Sequence, residues 1–388
     1  MLSTVRAALR GLFASSTPPK VLVIDDWLPD PRIGAGAPRA LAMLRALIKA
    51  GVSVTLLPTM KEPDDAEAVV RLVPGLMVVA PGGTFAAIGP FLAGHGGAFD
   101  LIMVSRPHNM AAFRQAVAGM TPAPDFSRVV YDAEAIFAVR ESLRRDVLGA
   151  PNSAEQTARE IAEETALAAG TRMIVAVNAA TAALFRAAGH QDVRVLGHAA
   201  VTDATRTPFL KRDGFLFVGP TYADGTPNTD AVIWFADRVL PQIRARLARH
   251  VPFVLAGVQG AQEVAARAGT HLTSLGAIPD LTEAYSAARV FVAPTRFSAG
   301  IPLKVYEAAA RGVPCVLTPL LAEQLGWHHE QEILVAATPE EFGEQCVRLH
   351  EDRALWERLR ARALRRVARD CDPRLFDRFA ASMLRHAR

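Results

Sequence analysis

The sequence predicts two doubly wound α/β domains of similar size, facing one another across a cleft. Three observations lead there. Short apolar runs alternate with Ala/Leu/Arg segments of helical spacing along most of the chain, the pattern of buried parallel strands covered by helices. The alternation breaks once, in the polar, proline-containing stretch 203–213, and then restarts. The length of 388 residues makes two domains the default. With 51% hydrophobic and 21% charged residues, the chain can fill two cores, and disorder is excluded as its main state.

Residues 1–19 carry arginines and serines but no acid, with Leu2, Val5, Leu9 and Leu12 on one helical face. A frayed terminal helix or tail is expected there, and a targeting segment or weak surface anchor is the alternative. The first domain spans 20–205. Its strands are expected at Lys20–Ile24, Ser53–Leu57, Leu76–Ala80, Leu101–Val104, Val129–Tyr131, Met173–Val177 and Val193–Leu196. The second spans 206–370, with strands at Gly214–Val218, Val251–Leu255, His271–Leu275, Val290–Val292, Cys315–Thr318 and Ile333–Val335. Helical spacing is clearest at Arg39–Ala50, Ala154–Ala169 and Thr282–Ala288. Residues 371–388 read as a C-terminal helix packing back toward the first domain. Ligands of such sheets bind at the carboxyl ends of the strands, so the cleft is the natural site.

Composition narrows the chemistry. Cys315, Cys346 and Cys371 are too few for a disulfide scaffold, and no CxxC pair suggests a zinc knuckle. A reducing, cytoplasmic compartment is the simple reading. The net charge of +4 is too mild for a dedicated nucleic-acid binder. The basic excess lies in the arginine-dense stretch Leu355–Arg388. A solvated helix face is the plainer reading of it, and peripheral contact with an anionic membrane is the alternative. Residues 72–99 hold no Lys, Arg, Asp or Glu, but three prolines and seven glycines make that segment a poor spanning helix.

Two loops carry the chemistry. The loop after the first strand, Asp25–Ala37, contains Gly34-Ala35-Gly36 and then Pro38 at a helix start. Glycines permit close approach to a ligand, and free N–H groups there bind anions. A tight strand–helix turn is the bland alternative. The stronger segment is Pro294–Val316, PTRFSAGIPLKVYEAAARGVPCV. A small-residue turn at Ser298-Ala299-Gly300 leads into a helix that begins near Pro302 or Leu303 and stops at Gly312. Lys304 and Glu307 share one face of it. Backbone donors, the charges of Arg296 and Lys304, and the carboxylate of Glu307 are the groups a diphosphate beside a ribose needs. The alternative is that Lys304 and Glu307 merely pair on the surface.

Segment 294–316 resembles the donor-site signature of retaining GT-B glycosyltransferases, the large group called family 4. Further segments agree: GFLFVGPTYADGTPNTDAVIWFADRVLP (214–241), SLGAIPDLTEAYSAARVFVAP (274–294), VLVIDDWLPDPRIGAGAPRALAMLRALIKAGVSVTLLP (21–58), VSRPHNM (104–110) and VVYDAEAIFAVRE (129–141). The resemblance covers most of 20–380. It implies the GT-B architecture, two Rossmann-like domains with the acceptor on the first and a nucleotide-sugar donor on the second. It places Glu307 on the donor ribose, Gly300 and Ile301 at the donor phosphate, and Lys304, the loop opening at Gly219, and the glycines Gly34 and Gly36 along the donor. Asp132 and Glu134 fall near the reacting sugar, where capping the following helix is their alternative role. Arg106, His108 and Asn109 are acceptor-side candidates. Two departures stand out: Ala299 replaces the first of the family's paired glutamates, and Pro220–Pro227 lacks the usual arginine and lysine. Arg296 and Lys304 are expected to replace those cations.

The resemblance implies sugar transfer with retention to a glycan or lipid-linked acceptor, as in surface polysaccharide synthesis. No cofactor, obligatory metal or nucleic acid is expected. The alternatives are a non-catalytic nucleotide-sugar-binding or scaffold protein and a sugar-nucleotide epimerase.

Overall fold

The computed structural model describes residues 18–30, 36–60, 66–79, 84–122 and 124–385. The expected terminal helix therefore falls almost wholly outside the described residues, as does Gly34. Among the described residues, thirteen strands form two all-parallel sheets. The first holds β1 (Lys20–Asp25), β2 (Ser53–Pro58), β3 (Met77–Val78), β4 (Leu101–Ser105), β5 (Val129–Glu134), β6 (Met173–Ala176) and β7 (Val193–Val195), in the order 3-2-1-4-5-6-7. The second holds β8 (Asp213–Val218), β9 (Phe253–Ala256), β10 (Thr273–Gly276), β11 (Ala288–Ala293), β12 (Cys315–Leu317) and β13 (Leu334–Val335), in the order 10-9-8-11-12-13.

The central strands β4 and β6 are buried throughout, because helices cover both faces of a parallel sheet. Expected and observed strands differ mainly at their ends. Pro252 has no N–H to give, so the ladder of β9 begins at Phe253 rather than Val251. At the edge of the first sheet, β3 shrinks to two residues.

Strand order reverses between β1 and β4, and again between β8 and β11. Each reversal opens a crevice at the carboxyl ends of the strands. The helices that follow those strands begin there. They are α1 (Ala37–Lys49) after β1, α2 (Pro107–Val117) after β4, α3 (Phe137–Val147) after β5, α4 (Ala179–Ala187) after β6, α5 (Pro227–Trp234) after β8, α6 (Leu303–Ala310) after β11 and α7 (Pro319–Leu325) after β12. In α1, Pro38 sits in the first turn and Leu41, Leu44 and Leu47 are buried on the sheet side. In α6, Val305, Tyr306, Ala308 and Ala309 are buried, and Gly312 ends the helix with φ +73.

The chain ends with α8 (Arg353–Asp370), which packs on α6, and α9 (Arg374–Arg385). The second of these returns to the first sheet, where it buries Phe376, Phe379 and Met383 beside α1. Each such side chain contributes about 1.5–3 kcal/mol of burial free energy. The two crossings between the halves touch, with Ala200 N donating to Cys371 O at 2.9 Å. No helix among the described residues is long and apolar enough to cross a membrane.

Candidate functional site

The two crevices face each other and enclose a cavity of about 430 Å³, within the size range of small-molecule sites. From the second domain it is lined by the turn Gly219–Pro220 after β8, by Asn228 on α5, by loop 298–302, and by Lys304 and Glu307 on α6. From the first domain come Gly36, Arg39, Glu134 and His198. Gly36, Gly219, Gly300, Ile301, Lys304, Glu307 and Glu134 thus meet in one space.

The donor-side half has few paired charges. Lys304 Nζ donates to Asn228 Oδ1 rather than to Glu307, and it lies 4.4 Å from the centre of the Phe217 ring. Burial pushes its ammonium down to about 7, against the opposing pull of Glu307. Burial likewise pushes the Glu307 carboxyl up to about 7, although Arg311 and Lys304 act against it. The two are not a solvated surface pair. Both line the cavity, and burial disfavours the charged form of each. Thr295 adds a buried hydroxyl without a partner to the same wall.

The structure separates Arg296 from this group. Its guanidinium takes the Asp230 carboxylate in a two-pronged pair, with Nε to Oδ2 at 2.9 Å, and it does not line the cavity. The expected replacement of the missing cations therefore rests on Lys304. The PN-x-D segment at the start of α5 explains both arrangements, since Asn228 holds Lys304 and Asp230 holds Arg296. Asn228 also fixes the preceding turn, donating to Pro220 O at 2.8 Å.

The acceptor-side half is dense with ion pairs, although among the described residues Asp132 Oδ1 and His198 Nδ1 are buried without a hydrogen-bond partner. Arg39, 1% exposed, donates to Asp132 Oδ2 at 2.5 Å and to the carbonyls of Leu196 and Gly197. Arg106 Nε holds Asp25 at 3.0 Å, and its Nη1 holds Asp26 at 3.0 Å. Asp26 also accepts from His108 at 2.5 Å and from Asn109 at 2.8 Å. Burial alone would raise the Asp26 carboxyl, but His108 and Arg106 outweigh it and hold it low. Burial raises Asp25. His198, beside Arg39, is pushed down to about 3 by burial and that charge, and so is neutral at pH 7.

Backbone geometry delivers these groups. Arg106 (φ +74) and Glu134 (φ +52) lie in a region side chains rarely adopt, a strain of about 1–3 kcal/mol each. The register of β5 against β6 shifts between Asp132 and Glu134, and such bulges re-aim side chains beside sites. Asp132 stays in the buried network while Glu134 reaches the cavity. Burial pushes the Glu134 carboxyl up to about 7 against Arg106 and Arg39. Gly36 sits at φ +91, a conformation side chains rarely adopt, and a Cβ there would crowd Arg106 Nη2 at 3.0 Å and Glu134 Oε1 at 3.2 Å.

Of the acceptor-side candidates, Arg106, His108 and Asn109 serve the network and do not line the cavity. Sequence reading missed Asp25, Asp26, Arg39 and His198. The paired aspartates at the end of an apolar strand were the available signal.

Residues 212–352 match the family described as "Glycosyl transferases group 1". Among solved structures, the chain is similar to HepE of Anabaena in complex with UDP and glucose, at 15% identity and TM-score 0.65 over 94% of this chain and 99% of that one. It is similar to sucrose-phosphate synthase from Thermosynechococcus elongatus, at 14% and 0.70 over 94% and 98%. A glycosyltransferase from Rickettsia africae gives 9% and 0.64 over 95% and 100%. No curated protein matches the sequence. The chain has the GT-B fold of two Rossmann-like domains, and the family match falls on the second of them, at residues 212–352.

Proposed function

We propose that this protein is a retaining glycosyltransferase that moves a sugar from a nucleotide-diphosphate sugar to a glycan or lipid-linked acceptor. The observation that carries this reading is the interdomain cavity lined by Lys304 and Glu307, two partly buried ionisable side chains with no ion pair within contact distance among the described residues. A diphosphate and a ribose diol supply what each lacks. The neighbours add support: HepE has been solved with UDP-glucose, and TarM of S. aureus with UDP and fondaparinux.

In this reading Glu307 accepts from the ribose hydroxyls, and loop 298–302 with Lys304 receives the diphosphate. The bond between the anomeric carbon and the diphosphate oxygen breaks, and Lys304 and the start of α6 stabilise the departing charge, usually the largest catalytic term. The acceptor oxygen bonds the same face of the anomeric carbon, and its proton passes to the leaving phosphate. Glu134 orients the acceptor hydroxyl, while Arg39 and Asp132 position Glu134. No obligatory metal or cofactor is part of this proposal. The reaction belongs to the cytoplasm. The exposed arginines Arg358, Arg362 and Arg365 along α8 suit contact with an anionic inner membrane face.

The test is acceptor-dependent release of nucleotide from a panel of nucleotide-sugars, with the product's anomeric configuration read by NMR. Retention and a Glu134-dependent limb near pH 7 are expected. Inversion would overturn the mechanism. A second reading, a non-catalytic nucleotide-sugar-binding protein, is favoured by Ala299 and the cation-free 220–227 loop. Binding without turnover would establish it.

A further inference from the structure

Loop 298–302 is held from two sides. Within its own domain, Gln324 on α7 donates from Nε2 to Ser298 O at 3.1 Å and accepts from Ser298 Oγ at 3.1 Å. From the other domain comes Asn178, the residue that precedes α4. Its Nδ2 donates to Gly300 O at 2.9 Å and to Gln324 O at 3.3 Å. Its Oδ1 accepts from Thr181 N at 2.8 Å and caps α4. Two carbonyls and one N–H leave a single orientation for the amide. The side chain is 7% exposed, so these bonds are shielded from water.

The cap requires only an oxygen, which Ser or Asp supplies equally well. The two donated bonds therefore do something the fold of the first domain does not need. Their target matters because a peptide unit is planar and trans. Fixing Gly300 O toward Asn178 fixes Ile301 N–H in the opposite direction. Gly300 sits at φ +88, where glycine's freedom would otherwise let this peptide turn. The surrounding interface is close and apolar: a Cβ on Gly300 would lie 3.4 Å from Ala135 Cβ, and one on Gly197 3.7 Å from Ile301 Cδ1.

We propose that Asn178 is a positioning residue, a latch through which the acceptor-side domain sets the backbone of loop 298–302 for the donor diphosphate. The inference rests on the donor-site reading above. It makes donor affinity depend on a residue of the opposite domain that need not touch the donor.

The test uses the full chain with Asn178→Ser and Asn178→Asp, both of which keep the helix cap and lose the donor group. Amide hydrogen exchange across residues 298–304 is measured without ligand, and nucleotide-diphosphate affinity by calorimetry. The expected result is exchange about tenfold faster in that loop and affinity weakened about tenfold, in chains that still unfold in one cooperative transition. Unchanged exchange overturns the latch. Faster exchange with wild-type affinity overturns its positioning role. If the wild-type chain binds no nucleotide diphosphate, the donor-site reading fails, and the exchange comparison still decides whether the latch exists.

Discussion

The two walls of the cleft spend charge differently. On the acceptor side, two buried guanidinium groups are matched to Asp25, Asp26 and Asp132, with His108 and Asn109 filling the remaining positions on Asp26. On the donor side, Lys304 has only the neutral amide of Asn228 and the Phe217 ring, and Glu307 feels Arg311 and Lys304 through space alone. A wall whose charges are already paired holds its shape without ligand. A wall whose charges are disfavoured gains most when a ligand arrives. Positioning is the role expected of the first and binding that of the second, and Arg39 and Glu134 belong both to the ion-pair network and to the cavity lining.

The comparison breaks most visibly at Arg39. Arg39→Met leaves Asp132 buried without its partner and is expected to cost about 3–5 kcal/mol, read as a lowered denaturant midpoint at unchanged m. Lys304→Met acts on turnover instead. It is expected to lower kcat by about 10²–10³ without loss of stability. The Lys304 ammonium is depressed from 10.5 to about 7, so its contribution, present above the unfolded value, falls away as pH drops through 7. The variant should therefore be more stable than wild type at pH 6.

Glu307→Gln sharpens the contrast through pH. A carboxyl raised from 4.5 to about 7 contributes stability below its unfolded value that is lost as pH rises through 7. The variant is expected to match wild type near pH 4 and exceed it by about 1–3 kcal/mol at pH 8, measured by chemical unfolding at both pH values. Equal stability at pH 8 would contradict the uncompensated charge. The smallest effect belongs to Arg296→Ala. Its pair with Asp230 lies outside the cavity, so turnover should stay within about twofold and stability within about 1 kcal/mol.

What sequence reading captured follows from locality. Buried parallel strands are apolar runs bounded by turns, so all thirteen lie near their expected positions. The donor wall is concentrated in 294–307, and its turn, helix start and Lys304–Glu307 spacing are visible in one window. The acceptor wall draws on residues from Asp25 to His198, and no local pattern pairs Arg39 with Asp132 across 93 positions. Arg39 is buried because it faces the end of β5, where it meets Asp132. The same reason misplaces Arg296, whose partner lies 66 positions away. Asn178 caps a helix of its own domain, and its bond to Gly300 spans 122 positions.

A nucleotide diphosphate is expected to bind where Lys304 and Glu307 line the cavity. Thermal unfolding of the wild type and Glu307→Ala, each with UDP, GDP, ADP and TDP, tests it most directly. One nucleotide at about 100 times its dissociation constant should stabilise the wild type by about 2.7 kcal/mol, and Glu307→Ala should lose that shift. No shift with any of the four, or an equal shift in the variant, would contradict the account.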